Sequence, residues 1–341
     1  MNRRDFKKKL AAVAMTSPIL WSNQFFEMNS ELLFPNAIAK GDTIGLLAPA
    51  GYITSERLQK AVNNVNLLGY KAKYLPNIVS RKTGYFAGTD EQRIDEIHQM
   101  FLDEEVHAIW CIRGGYGLTR ILEKLNYELI KSSKKIILGY SDITALLNAI
   151  FIETGLITYH GPVASSTINT YTKNCLANLF ETPQRCNITH HQSKQNNIDP
   201  IYEYNILKKG SASGQLIGGN LSIITSLIGT RYQPNFANKI VFLEDVDERP
   251  YRIDRMLTQL LQSTNFSQCN AILLGVFEGC VPKKGEESFQ LLDVFQERFN
   301  SLHIPIIYGF SFGHIEPCCI IPIGQKYNLD TSETYLQCSE E

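Results

Sequence analysis

The chain lacks the sequence signals of several protein classes. Its 341 residues include no Cys-x-x-Cys pair and no His-Glu-x-x-His sequence, so neither dithiol redox chemistry nor a zinc peptidase is indicated. A glycine-rich turn at residues 113–117 is not followed by the Lys-Ser or Lys-Thr of a P-loop, which leaves nucleotide binding weakly supported. No apolar run reaches about eighteen residues beyond the N-terminal region, so we expect no transmembrane segment.

The chain also has almost no net charge. Lys and Arg number 33 against 34 Asp and Glu, so no global field attracts nucleic acid or an anionic membrane, and we expect no nucleic-acid partner. With 44% apolar residues, a chain of this length suits two domains with separate cores. Its eight cysteines permit disulfides, but a protein of this size does not need them.

The first 31 residues differ in composition from the rest of the chain. Arg3 and Arg4 precede Phe6 and a run of lysines, and residues 11–21 are mildly apolar. This order is typical of a twin-arginine export signal, although a basic tail that packs an amphipathic turn is the alternative. We predict a signal and tail at residues 1–31, and an exported or periplasmic protein if the signal is used, otherwise a cytoplasmic one.

Apolar strands alternate with amphipathic helices from residue 42 onward. The alternation predicts βαβ units with a parallel sheet, and so an N-terminal α/β domain at residues 32–165. Residues 166–209 are rich in Asn, Gln, Thr and Lys, which predicts a polar connector with short antiparallel strands. A second alternation of strands and helices predicts a smaller C-terminal β/α domain at residues 210–341.

Residues 139–142, Gly-Tyr-Ser-Asp, form what we call the serine turn. They join an apolar strand directly to a helix-like segment at residues 143–150. Such a strand-to-helix turn raises a serine hydroxyl clear of the sheet, and the next amide lies at a helix N-terminus, where it can stabilise an oxyanion. Ser141 is therefore a candidate nucleophile and the amide of Asp142 a candidate oxyanion donor. The alternative is that Ser141 only caps the helix.

Residues 113–117, Arg-Gly-Gly-Tyr-Gly, form the glycine turn. Adjacent glycines after a strand let the backbone approach a ligand closely and expose free amides. Ligands of parallel sheets bind beyond the carboxyl ends of the strands, so we expect the glycine turn and the serine turn to face one site. The amide of Gly115 is a second candidate oxyanion donor. The alternative is a tight turn that requires positive φ.

A serine hydroxyl needs a base to attack an amide, and the base needs an orienting partner. Among seven histidines, His314 leaves a strand through a small-residue loop, whereas His160 is interpreted as structural or as part of the cleft wall. Glu244 is the first polar residue at the end of an apolar strand, where its carboxylate can be directed into a cleft. It equally suits a cap of the following turn. The residues alone leave the choice of base and carboxylate open.

The order of motifs along the chain resembles that of the LD-carboxypeptidases, a family of serine peptidases. The resemblance implies a Ser–Glu–His triad at Ser141, Glu244 and His314. It also implies an oxyanion hole made by the amides of Gly115 and Asp142. The matching stretches are residues 41–51, 112–117, 139–142, 160–162, 218–221, 243–246, 250–256 and 313–314.

The resemblance also carries expectations for fold and assembly. It implies an α/β fold with a parallel-sheet N-terminal domain, flavodoxin- or Rossmann-like, and a smaller C-terminal β/α domain. The active site would lie at the interface of the two domains. A homodimer is implied, and neither a metal nor another cofactor is required.

The implied reaction releases the terminal D-Ala from murein tetrapeptides, at the amide bond to an L-configured centre of meso-diaminopimelate, in peptidoglycan recycling or remodelling. A carboxypeptidase must bind a free carboxylate, and charge and position make Arg113 our choice. Two alternatives stay open: a peptidase of the same family that gives immunity to a peptide–nucleotide antibiotic, and a non-catalytic muropeptide-binding protein. An ester hydrolase of the α/β-hydrolase type is disfavoured, because Ile143 stands where Gly-x-Ser-x-Gly has its last glycine.

Overall fold

Two β-sheets organise the residues that this computed structural model describes, 32–191 and 202–339. The predicted export signal at residues 1–31 lies outside these ranges. Buried apolar residues from both sheets form one continuous core, so the expectation of separate cores was wrong. Within the described residues, no helix is both long enough and apolar enough to cross a membrane.

The first sheet has a flavodoxin-like parallel core. Its strands are β1 (Thr43–Leu47), β2 (Lys71–Lys73), β3 (Ala108–Cys111), β4 (Ile136–Gly139), β5 (Thr158–His160) and β12 (Ile321–Ile323). The order is β12-β5-β4-β3-β1-β2, and the first five strands in sequence pair in parallel. β12 pairs antiparallel with β5, so the C-terminal part of the chain adds an edge strand to the N-terminal sheet.

Helices connect these strands and cover the sheet. They are α1 (Ser55–Leu67), α2 (Asp90–Leu102), α3 (Tyr127–Ser133), α4 (Ile143–Thr154) and α5 (Thr170–Glu181). Thr89 caps the start of α2 in a capping box with Gln92. α4 follows the serine turn and is buried along most of its length, so it holds the turn from within the core.

Residues 166–209 differ from the polar connector that their composition predicts. Helix α5 lies within them, and its Leu176, Leu179 and Phe180 are buried. Three apolar residues at helical spacing are enough to bury one face, although the outward residues dominate the composition. The short antiparallel strands expected here are β6 (Ile188–Thr189) and β7 (Asn205–Lys208), both at sheet edges.

The second sheet is mixed. Its other strands are β8 (Ser211–Asn220), β9 (Lys239–Val246), β10 (Ala271–Glu278), β11 (Ile306–Tyr308), β13 (Lys326–Asp330) and β14 (Tyr335–Cys338). In the order β6-β14-β13-β8-β9-β10-β11-β7, the four strands from β8 to β11 are parallel. The helices α6 (Leu221–Ser226), α7 (Pro250–Ser263) and α8 (Leu291–Arg298) accompany this parallel core.

The two sheets meet where α4 packs on the end of β8. The side-chain amide of Asn148 donates to the carbonyl of Gly218 at 2.9 Å, and the backbone N–H of Asn220 donates to Oγ1 of Thr144 at 3.1 Å. Gly219 has a φ of +133°, and a Cβ at this position would lie 2.5 Å from Cγ2 of Thr144. This close approach places the serine turn beside the strands of the second sheet.

Candidate active site

The serine turn has the backbone of a nucleophile elbow. β4 ends at Gly139 and α4 begins at Ile143, so only three residues separate strand from helix. Ser141 has a φ of 62°, a left-handed conformation that is uncommon for a residue with a Cβ and characteristic of this kind of turn. The N-cap position of α4 belongs to Asp142. The alternative that Ser141 serves only as the helix cap is therefore not supported.

The glycine turn packs directly against Ser141. A Cβ on Gly114 would lie 2.7 Å from Cβ and 2.8 Å from Oγ of Ser141, so no larger residue fits without displacing the serine. Gly115 has a φ of +121°, and its backbone meets that of Gly51 so closely that an added Cβ would lie 3.0 Å from the Gly51 nitrogen. The backbone of this turn thus passes beside the serine hydroxyl, where the donors of an oxyanion hole would have to lie.

The carboxylate of Asp142 has a role that sequence reasoning missed, since only its amide was expected to matter. The side chain is buried, and Oδ2 accepts a hydrogen bond of 3.0 Å from the N–H of Leu118. Burial raises the pKa of this carboxyl to about 6. The bond ties the serine turn to the residue that follows the glycine turn, so the two turns are held in one arrangement.

Glu244 and His314 form a hydrogen-bonded pair. Glu244 lies on β9 and is fully buried, and His314 lies in the loop that follows β11. Nδ1 of His314 is 2.8 Å from Oε2 of Glu244, and because an ionised carboxylate only accepts, the imidazole donates. Gly313, with a φ of +117°, lets the loop approach, since a Cβ there would lie 3.2 Å from the same oxygen. The carboxylate therefore orients His314 and does not cap the following turn.

The two members of this pair shift each other's pKa. Burial raises the pKa of Glu244, but the positive charge of His314 and their hydrogen bond outweigh it, and the pKa lies below its ordinary value. Burial lowers the pKa of His314, but the charge of Glu244 and the bond outweigh that effect, and the pKa lies above 6.5. A carboxylate that stabilises an imidazolium is the partner that a general base needs.

Tyr140 brings this pair next to the serine turn. Its ring centroid lies 4.3 Å from that of His314 in an edge-to-face arrangement, and its hydroxyl lies 3.2 Å from Oγ of Ser166. Since Tyr140 immediately precedes Ser141, the imidazole lies against the serine turn that carries the candidate nucleophile. The structure thus gathers the three residues predicted for the triad from two sheets into one region.

His160 is a second imidazole beside Glu244. It ends β5, next to the strand that leads to the serine turn, and its Nε2 lies 3.7 Å from Oε1 of Glu244. Burial lowers the pKa of His160 to about 4. Sequence reasoning interpreted it as structural or as part of the cleft wall, and missed its contact with the carboxylate because the two residues come from different sheets.

Arg113 lies at the point where the strand order of the first sheet reverses, between the ends of β1 and β3. Its Nη1 donates to the carbonyl of Tyr52 at 2.7 Å, and no carboxylate of the described residues pairs with it. Burial and then the charge of Arg57 lower the pKa of Arg113. An open cavity of about 360 Å³ is lined by Gly51, Tyr52, Tyr85, Arg113, Gly115 and Tyr116. Three residues of the glycine turn, Arg113, Gly115 and Tyr116, therefore face this cavity.

The remaining features offer less for chemistry. A cavity of about 420 Å³ lies over β8, β13 and β14, but no base–carboxylate pair lines it. Among residues 32–191 and 202–339, no group of three or more His, Cys, Asp or Glu side chains is arranged to hold a metal ion. Cys111, Cys186, Cys269, Cys280, Cys318 and Cys319 are buried thiols.

Sequence comparison identifies relatives along nearly the whole described chain. The LD-carboxypeptidase N-terminal domain matches residues 44–161, and the LD-carboxypeptidase C-terminal domain matches residues 213–329. A probable murein peptide carboxypeptidase from Bacillus subtilis is 39% identical over 304 residues, which cover 88% of this chain and 92% of the relative. A murein tetrapeptide carboxypeptidase from Pseudomonas aeruginosa is 32% identical over 281 residues, covering 80% and 87%. The microcin C7 self-immunity protein MccF of Escherichia coli is 28% identical, covering 92% and 98%.

Solved structures share the fold. An MccFlike protein from Bacillus anthracis superposes with a TM-score of 0.78 at 30% identity, covering 90% of this chain and 100% of that chain. MccF in complex with glutamyl sulfamoyl guanosine gives 0.81 at 25% identity, covering 91% and 98%. A muramoyltetrapeptide carboxypeptidase from Oxalobacter formigenes gives 0.74 at 26% identity, covering 86% and 97%. The predicted two-domain α/β fold is confirmed, and the chain belongs to the LD-carboxypeptidase family of peptidases.

Proposed function

We propose that the protein is a serine LD-carboxypeptidase that removes the terminal D-Ala from murein tetrapeptides. The observation that carries the proposal is the Glu244–His314 pair held beside the serine turn, with Nδ1 of His314 at 2.8 Å from the carboxylate. Relatives named as murein peptide and murein tetrapeptide carboxypeptidases support the substrate class. Peptidoglycan recycling or remodelling is the process that such a reaction serves.

The mechanism that we propose is acyl transfer through Ser141. His314 accepts the serine proton, while Glu244 fixes the imidazole tautomer and stabilises the imidazolium. Ser141 attacks the carbonyl that joins the L-configured centre of meso-diaminopimelate to D-Ala, and the amides of Gly115 and Asp142 bind the oxyanion. The intermediate collapses as His314 donates the proton to the leaving amine of D-Ala. Water then hydrolyses the acyl-enzyme with His314 again acting as base.

Arg113 is our choice for the carboxylate of the terminal D-Ala. Its bond to the carbonyl of Tyr52 fixes the guanidinium, and its other donors remain available at the cavity beside the glycine turn. Arg57 adds positive charge to the same region, as its effect on the pKa of Arg113 indicates. A planar cation with several donors suits a carboxylate, which it can bind with two parallel hydrogen bonds.

The direct test is incubation with a disaccharide-tetrapeptide, with D-Ala release followed by mass. The wild-type protein should convert tetrapeptide to tripeptide, Ser141→Ala should not, and the exposed Ser132→Ala should behave as wild type. Pentapeptide with a terminal D-Ala–D-Ala bond should stay intact, which separates an L,D-specific enzyme from a D,D-specific one. An unchanged rate in Ser141→Ala would sink the mechanism, and absence of D-Ala release in the wild type would sink the substrate assignment.

The assignment of Arg113 has its own test. Arg113→Met should raise KM about ten- to a hundredfold, the loss expected for a hydrogen bond to a charged group. The value of kcat should change little, because this bond is equally strong in the substrate complex and in the transition state. A tetrapeptide whose terminal carboxylate is amidated should bind wild type as weakly as the Arg113→Met protein binds the acid. Arg185→Met, at an exposed site, is the matched control. If amidation of the terminal carboxylate weakens binding to the Arg113→Met protein as much as it weakens binding to the wild type, a different residue binds the carboxylate.

A second candidate function is immunity to a peptide–nucleotide antibiotic. The similarity in fold to MccF in complex with glutamyl sulfamoyl guanosine favours it, and three tyrosines around the cavity offer stacking surfaces. The higher identity to murein peptide carboxypeptidases favours the first proposal. Parallel kinetics on glutamyl sulfamoyl guanosine and on muropeptide decide between them by the ratio of kcat/KM.

Assembly and location extend the proposal. We expect a homodimer, which light scattering after size-exclusion chromatography would reveal as twice the chain mass. We also expect export through the twin-arginine-like sequence at residues 1–31. Fractionation of cells that express the native chain and an Arg3→Lys, Arg4→Lys variant tests this, because loss of the arginine pair should retain the protein in the cytoplasm.

A further inference from the structure

Glu244 faces two imidazoles, and only one of them belongs to the proposed triad. Oε2 accepts from His314, while Oε1 lies 3.7 Å from Nε2 of His160. The side chains of His160 and Glu244 are both fully buried. Among the described residues, no group lies within hydrogen-bond range of Oε1 of Glu244 or of either ring nitrogen of His160, although the side-chain amide of Asn220 also helps to lower the pKa of Glu244. Burying a polar atom without a hydrogen-bond partner costs free energy, so the placement of these atoms beside one another needs a physical explanation.

Aromatic rings fix the orientation of His160. The rings of Phe242 and Phe312 lie edge-to-face to the imidazole at 5.4 Å and 6.4 Å, and that of Tyr140 lies at 6.3 Å. These apolar walls disfavour the imidazolium and leave the neutral ring, which carries one N–H donor. The facing titratable groups are Glu244 and His314, and the positive form of His314 also disfavours a second cation.

We infer that His160 is a positioning residue for Glu244, acting on the carboxylate oxygen that His314 does not use. The neutral Nε2–H points its positive end at Oε1, and a shift of about half an ångström brings the two atoms within hydrogen-bond range. With both oxygens engaged, the carboxylate cannot rotate away from Nδ1 of His314. Because His160 lies on β5 and Glu244 on β9, the contact also aligns the two sheets that supply the site.

This inference rests on the proposed triad, and a matched pair of substitutions tests it. His160→Gln keeps an N–H donor near the position of Nε2, whereas His160→Met has a similar length and no donor. On the tetrapeptide substrate, His160→Met should lower kcat about ten- to a hundredfold with KM little changed, the effect of losing a hydrogen bond to a charged group. His160→Gln should recover most of that loss.

A second measurement separates positioning from general structural support. In the Glu244→Gln background, His160→Met should have almost no further effect on kcat, because its action runs through the carboxylate. Circular dichroism and thermal unfolding check that each variant is folded. His160→Asn, whose amide cannot reach Oε1, should be impaired like His160→Met and replaces it if the methionine variant does not fold.

Three outcomes would overturn the inference. They are wild-type kcat in His160→Met and His160→Asn, an equal loss in His160→Gln, or a full additional loss in the Glu244→Gln background. Failure of the proposed function is distinguishable from these, because the wild-type protein itself would then release no D-Ala from the tetrapeptide.

Discussion

Two histidines approach the same carboxylate from different sheets, and their properties diverge. His160 comes from the first sheet and His314 from a loop of the second, and each lies by a different oxygen of Glu244. Burial lowers the pKa of His160 to about 4, whereas the charge of Glu244 overcomes burial and raises that of His314 above 6.5. The same anion therefore supports one imidazole that takes up protons and one that stays neutral.

Distance and solvent access explain the difference. His314 makes a hydrogen bond of 2.8 Å and keeps 16% of its side chain exposed, whereas His160 lies at 3.7 Å and has no exposure. A short charge-assisted hydrogen bond offsets the free-energy cost of desolvating an imidazolium, whereas a longer contact surrounded by aromatic rings does not. Proximity to a carboxylate is thus insufficient to identify a general base.

The largest expected effect comes from exchanging the base. His314→Gln should lower kcat by about 10⁵- to 10⁶-fold, the scale of losing a triad histidine, because the proposed acceptor of the Ser141 proton is then absent. His160→Gln should keep most activity, and the exposed His303→Gln should keep all of it. Steady-state kinetics on the tetrapeptide measure the three variants. Comparable losses of kcat in His160→Gln and His314→Gln would contradict the assignment of His314 alone as the base.

Glu244→Gln should lower kcat by about 10⁴-fold, a smaller effect, since the triad carboxylate orients and stabilises a base that is still present. The amide is nearly isosteric, so the fold should be retained. The measurement is kcat on the tetrapeptide beside that of a Glu248→Gln control from the following loop. A loss below about tenfold would mean that the 2.8 Å pair does not take part in catalysis.

A pH titration compares the two histidines directly. Proton NMR of the Ser141→Ala protein should show His314 titrating above pH 6.5 and His160 near pH 4. Because His314 acts in its neutral form, kcat/KM of the wild type should fall as the pH drops through the pKa of His314. In Glu244→Gln the largest raising effects are lost and only the weaker ones of Asp245 and Asp247 oppose burial, so the pKa of His314 should fall. An unchanged pKa there would contradict the assigned cause.

The smallest effect concerns stability. Unfolded His160 takes up a proton near pH 6.5 and folded His160 near pH 4, so between these values the unfolded state binds more protons and the fold loses stability as pH falls. His160→Gln removes this contribution, worth up to about 3 kcal/mol at low pH. Urea unfolding of both proteins from pH 7 to pH 4 measures it. Parallel pH dependences would show that His160 is not buried in its neutral form.

The sequence predicted the parts of the site that depend on local order. The serine turn and the glycine turn each follow an apolar strand, and strand ends of a parallel sheet converge, so Ser141 and Gly115 were expected together. The strand–helix alternation likewise indicated the α/β fold. The choice of Glu244 and His314 required the family resemblance, because their pairing spans distant parts of the chain.

Other features were out of reach of the sequence for physical reasons. The contact of His160 with Glu244 joins two sheets, and neither residue's local pattern encodes it. β12 joins the first sheet from the far end of the chain, and Ile321–Ile323 is too short to show a sheet preference. Helix α5 was missed because polar outward residues outnumber its buried face.

The central claim is that His314, oriented by Glu244, activates Ser141 as the nucleophile. Its most direct test is reaction with a fluorophosphonate, followed by peptide mass spectrometry to locate the adduct. The account predicts an adduct on Ser141 in the wild-type and His160→Gln proteins and almost none in His314→Gln. An adduct on a different serine, or equal labelling of Ser141 in the His314→Gln protein, would contradict it.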